Sequence, residues 1–96
     1  MTNSILYELD EQARLRRLTF GQVVRRHRKA MRVDGRRVSQ ERLAEQAGCD
    51  RQSINRIENG AYSPSLDRMH RLADALGTRL ATLLAEADEL IDGGSL

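Results

Sequence analysis

Residues 39–60 read SQERLAEQAGCDRQSINRIENG, and the fold turns on how this stretch divides. Ser39 is suited to cap a helix from Gln40 to Ala47, because its hydroxyl can accept an unpaired amide of the first turn. Leu43, Ala44 and Ala47 fall on one face of that helix. Gly48 follows as the residue best able to take the left-handed conformation that ends a helix. Asp50 then caps a second helix, Arg51 to Asn59, which stops at Gly60. Two short helices joined by a tight glycine turn make a helix-turn-helix pattern over residues 40–59.

The second of these helices has an uncommon surface. At about 100° per residue, Arg51, Gln52, Asn55, Arg56 and Asn59 share one face, with Ile54 and Ile57 roughly opposite. So narrow an apolar face must dock on Leu43, Ala44 and Ala47, which turns the polar face outward. That face holds arginine, glutamine and asparagine, with no acid and no lysine. Arginine can bond both acceptors of a guanine edge, and glutamine or asparagine the donor and acceptor of adenine, in the major groove of double-stranded DNA. The amino-terminal residues of such a helix, here Arg51 and Gln52, reach the base edges first. An ordinary solvated helix face is the competing reading of these residues alone. The preceding helix, the glycine turn and a basic block upstream weigh against it.

Working outward, Thr19-Phe20-Gly21-Gln22 fits a capping box and predicts a helix start. Phe20, Val23, Val24, His27, Ala30 and Met31 then form its apolar stripe. Ahead of it, residues 3–17 predict a separate short helix capped by Asn3 or Ser4, with Ile5, Leu6, Leu9 and Ala13 at helical spacing. Asp34-Gly35 marks a turn within a basic loop, residues 33–38, that contains Arg36 and Arg37. Ser63-Pro64-Ser65 opens a further helix whose expected buried stripe is Leu66, Met69, Leu72, Ala73 and Leu76. A last helix runs from about Leu80 to Ile91. The expected organisation is all-α: an N-terminal helical appendage at 1–18, a five-helix domain at 19–91 and a flexible tail at 92–96.

Composition supports a helical, nucleic-acid-binding reading. Of the 96 residues 40% are apolar and only 3% aromatic, so the core must come from Leu, Ile, Val, Ala and Met. The net charge of +2 hides an asymmetry. Residues 1–13 carry three acids and no cation, residues 14–42 eleven cations against two acids, and residues 66–96 three arginines against six acids. Every cation except Lys29 is arginine, whose planar fork suits phosphate and guanine. The single cysteine, Cys49, excludes an intramolecular disulfide and fits a reducing compartment. The chain opens without a basic, then apolar, leader and holds no apolar run of membrane-spanning length, so a cytoplasmic protein without membrane contact is expected. There is no nucleophile motif, phosphate loop or metal-ligand spacing, and His27, His70 and Cys49 are widely separated. Neither catalysis, cofactor nor metal is expected. Cys49 reads as core filler, and Glu58, between the two faces of its helix, as a structural partner for an arginine.

Residues 20–84 resemble the Cro/phage-repressor type of helix-turn-helix domain, the xenobiotic-response-element family of bacterial regulators. The resemblance rests on Ser39–Gly48, on Arg51–Gly60, on Pro64-Ser65-Leu66, and on the later LADALG (72–77) and LATLL (80–84). It implies a lambda-repressor-like fold, to which the predicted helix at residues 3–17 is an extra N-terminal element outside the family domain. It also implies roles: Arg51, Gln52 and Arg56 read bases, with Asn55 beside them. Gln40 and Asn59 bond phosphate, Ser39 adds a further phosphate bond, and Ala61, Tyr62 and Ser63 approach the same strand. The connection from Met31 to Val38 is longer than the family pattern, and its Arg36 and Arg37 are expected to add phosphate contacts.

The resemblance further implies a homodimer on a palindromic operator, with recognition helices one DNA turn, about 34 Å, apart. Ile5, Leu6, Leu9, Leu83, Ala87, Leu90 and Ile91 are the candidate dimer residues. Packing of the N-terminal helix on the last helix of its own chain is the alternative use of the first three. The leading functional expectation is a transcriptional regulator acting as a repressor. Two others stand beside it: an antitoxin bound to a small toxin protein, and a controller protein of a restriction–modification system.

Overall fold

The computed structural model describes residues 2–94, with side chains from Ser4 onward. Its elements are α1 (Thr2–Ala30), β1 (Arg32–Val33), β2 (Arg36–Arg37), α2 (Gln40–Ala47), α3 (Arg51–Glu58), α4 (Leu66–Ala75) and α5 (Leu80–Asp92). The expected all-α, five-helix architecture is present. Two of the expected caps, Ser39 and Asp50, are made as the sequence predicts, and Ser65 supplies a third that it does not single out. Ser39 Oγ accepts the Arg42 amide at 3.0 Å, Asp50 Oδ1 the Ser53 amide at 2.7 Å, and Ser65 Oγ the Arg68 amide at 3.1 Å. Gly48 closes α2 in the left-handed conformation, φ 71°.

The core lies where α1, α2, α3, α4 and α5 converge. Val23, Val24, Leu43, Ile54, Ile57, Leu72 and Leu83 are fully buried there. α1 is tied to α5 by Glu86, whose carboxylate meets His27 Nε2 at 2.6 Å and Arg26 Nη2 at 3.6 Å.

The N-terminal half departs from expectation. One helix of 29 residues replaces the two predicted ones, and it already runs through Asn3 and Ser4. Thr19 caps nothing: it is buried, and its hydroxyl donates back to the carbonyl oxygens of Leu15 and Arg16, at 2.9 and 3.2 Å. A threonine satisfied within the preceding turn no longer needs to end it. Gly21 is set by packing and not by a cap. A Cβ there would run into the Ile57 carbonyl oxygen and lie 2.8 Å from that of Glu58, so α1 reaches the end of α3 only with glycine at this position.

The basic loop is a hairpin. Arg32 pairs with Arg37 and Val33 with Arg36, antiparallel. Asp34 and Gly35 both have positive φ, 53° and 76°, the backbone of the two-residue turn that matches strand twist. Further along, Pro64 stands just before the Ser65 cap instead of inside the helix. Leu66, expected in the buried stripe, is 62% exposed, because it sits at the margin of that stripe on the first helical residue. Of the expected tail, Asp92 still belongs to α5, and Ser95 and Leu96 lie outside the described residues.

Candidate nucleic-acid interface

α3 presents the face that the helical wheel places outward. Arg51, Gln52, Asn55, Arg56 and Asn59 are all exposed, while Ile54 and Ile57 are buried against α2 and the core. Asp50 fixes the start of the helix. Its carboxylate accepts the Ser53 amide, and that bond holds its pKa below the ordinary aspartate value. Among the described residues, Arg51 and Gln52 at this end make no side-chain hydrogen bond, so both remain available to a ligand.

The far end of the face is organised by Glu58, 2% exposed. Arg28 Nε reaches its Oε2 at 2.7 Å and Arg28 Nη2 its Oε1 at 2.9 Å. Gln40 Nε2 donates to Oε1 at 2.9 Å, and Arg25 Nε at 3.3 Å. Burial pushes this carboxyl up, but the bonds from Arg28 and Gln40 and the neighbouring positive charges outweigh burial and leave it below the ordinary glutamate range. Arg28 also donates to the Val38 carbonyl at 3.0 Å, so one guanidinium ties α3 to the segment leaving the hairpin. Gln40 ties α3 to the first turn of α2.

From this buried anchor a polar chain leads to the surface. Gln40 Nε2 reaches Asn55 Oδ1 at 3.3 Å, Asn59 Nδ2 reaches the same oxygen at 3.4 Å, and Arg25 Nη2 donates to Asn59 Oδ1 at 2.8 Å. Gln40, Asn55 and Asn59 therefore form one connected group. Arg56 belongs to another: its guanidinium lies over the Tyr62 ring, 5.0 Å from the centroid. Arg68 Nη1 donates to the Tyr62 hydroxyl at 3.2 Å. Ser39, Ala61 and Ser63 are exposed, as are Arg36 and Arg37 on β2. Arg25, Arg28 and Arg68 are site residues that sequence reasoning did not single out. The signal for Arg28 was present in Glu58, the one acid of α3, which required a cation from elsewhere.

The helix-turn-helix family model matches residues 29–83, from the end of α1 into α5. The chain belongs to the helix-turn-helix family of the Cro/phage-repressor type. Over 55 residues it is 47% identical to an uncharacterized HTH-type transcriptional regulator of Methanothermobacter thermautotrophicus, a match covering 57% of this chain and 72% of that protein. Over 68 residues it is 38% identical to control protein C.BamHI of Bacillus amyloliquefaciens, covering 71% and 79%. Membership of this helix-turn-helix family makes the chain a DNA-binding protein of transcriptional regulation. No helix among the described residues is long and apolar enough to cross a membrane. The matched segment leaves out α1 before Lys29, so most of that helix lies outside the family pattern.

The candidate dimer residues divide. Leu83 and Ala87, 0% and 5% exposed, belong to the chain's own core and have no surface to give a second chain. Leu90 and Ile91 are half-buried, Leu90 against that core. Ile5, Leu6 and Leu9 are 61%, 54% and 54% exposed, so this part of α1 does not pack on α5.

Proposed function

We propose that this protein is a cytoplasmic transcriptional repressor that binds a palindromic operator as a homodimer. The observation that carries the reading is the acid-free outward face of α3, held at one end by the Asp50 cap and at the other by buried Glu58. Arg51 and Gln52 read base edges from the amino-terminal end of the helix. Arg56, laid against Tyr62, reads a further base. Asn55 stands beside these readers, its carbonyl oxygen tied to Gln40 and Asn59. Gln40, Asn59, Ser39, Tyr62 and Ser63 hold phosphates flanking the half-site, and Arg36 and Arg37 on the hairpin extend that grip. Two such surfaces on one operator supply the buried area that a single small domain lacks.

A controller protein of a restriction–modification system, which activates as well as represses, is the second reading. It is favoured by the likeness to control protein C.BamHI, of which the match covers 79%.

Selection of bound duplexes from a random library tests the proposal. The expected product is an inverted repeat whose half-site centres lie about 10 base pairs apart, or a multiple of that. Enrichment of a single unrepeated site, or of no sequence, contradicts it.

A further inference from the structure

The stripe of α1 that faces the core does not end where the core ends. Phe20, Val23 and Val24 lie on it and are buried. At about 100° per residue, Ile5, Leu6, Leu9 and Ala13 lie on the same side of the same helix. There α1 has left the body of the protein, whose longest dimension is 54 Å against 26 and 18 Å for the others. Where the arm meets the body, Ala13, Phe20, Met69 and Leu84 line a groove rimmed by Arg16 and Arg17. Ile5, Leu6, Leu9 and Leu84 are four of the six exposed large hydrophobic residues in the described part of the chain. Ile5, Leu6 and Leu9 lie on the side of α1 that leads into this groove, where Leu84 is exposed, a grouping too concentrated to be scattered surface hydrophobics.

Charge identifies what covers it. The arm carries Glu8, Asp10 and Glu11 and no cation before Arg14, whereas the groove is rimmed by two arginines. Arm and groove are thus apolar along their length and opposite in charge along their edges. A rigid helix cannot bend its own arm back into its own groove. A second copy, running antiparallel, brings its arm to this groove and offers its own groove in return, with small Ala13 near the crossing point.

We infer that the arm of α1 is the dimerisation element. Ile5, Leu6 and Leu9 of each copy lie in the groove between α1 and Leu84 of the other, with Glu8 and Asp10 beside the partner's rim arginines. Such reciprocal contact is the self-complementary form that two-fold symmetry requires. It rests on the dimer reading above and assigns that dimer to a segment outside the matched family region.

Two measurements on the full chain test it. In sedimentation without DNA, wild type is a dimer, and L6E/L9E, at exposed positions, is a monomer of unchanged helicity. With a short bismaleimide, C49S/L6C/L84C gives a covalent dimer. Wild-type dimers that persist in L6E/L9E and yield no cross-linked dimer overturn the arm assignment and leave the dimer reading intact. Wild type that sediments as a monomer both alone and on the selected operator overturns the dimer reading itself.

Discussion

Arg28 and Glu58 meet through two parallel hydrogen bonds, 2.7 and 2.9 Å, with the Glu58 side chain fully buried and that of Arg28 12% exposed. They lie 30 residues apart, one in the first helix and the other in the last turn of α3. A pair this dry contributes little net stability when intact, because desolvation of both ions offsets most of their attraction. Breaking it is another matter, since the remaining charge stays buried.

Glu58→Gln is therefore expected to destabilise the fold by about 3 kcal/mol, the lower end for leaving a buried charge unpaired. Chemical denaturation checks the size, and the pH profile checks the cause. The folded-state pKa of Glu58 is depressed, so its contribution is fully present above the ordinary glutamate range and is lost as pH falls through the lowered value. Wild type should lose stability over that acid window. The variant should lose less there, and equal acid slopes would show that Glu58 is not the group responsible.

Gly21→Ala sets two effects against each other. Helix propensity favours alanine by about 1 kcal/mol. The added Cβ meets the Ile57 and Glu58 carbonyls, which are backbone atoms and cannot swing aside. Overpacking of this kind costs about 1–3 kcal/mol, so the expected outcome is a net loss of stability and a lower melting temperature. A gain would mean that α1 and α3 are farther apart than described.

The hairpin arginines bear on affinity and not on sequence preference. Removing both charges in R36A/R37A should weaken binding to operator and random duplexes alike and lower the slope of log K against log salt by up to about 2. Titrations at several salt concentrations measure this. An unchanged slope would make the hairpin a bystander.

Much of this arrangement is legible in the sequence where one local rule decides. Ser39, Gly48, Asp50 and Gly60 fixed the helix-turn-helix, and the alternation of isoleucine with polar residues fixed the outward face of α3. The reading failed where a local signal competed with a distant one. Thr19 to Gln22 satisfies the capping pattern, yet the Thr19 hydroxyl found a partner one turn back and Gly21 was needed by α3, 36 residues along. Leu83 and Ala87 looked surplus because sequence cannot count how much core five helices share. The contacts of Arg25, Arg28 and Arg68 depend on where α1 and α4 cross α3 and its trailing loop, which no spacing along the chain reveals.

The central claim, that the amino-terminal end of α3 reads sequence, is tested most directly by binding Arg51→Ala and Gln52→Ala to the selected operator, to its single-base-pair variants and to random duplex. The account predicts a loss of about 1–3 kcal/mol on the operator for each variant, relaxed preference at one base pair of each half-site, and little change on random DNA. An equal loss on operator and random duplex would contradict it, because the two side chains would then be touching phosphate alone.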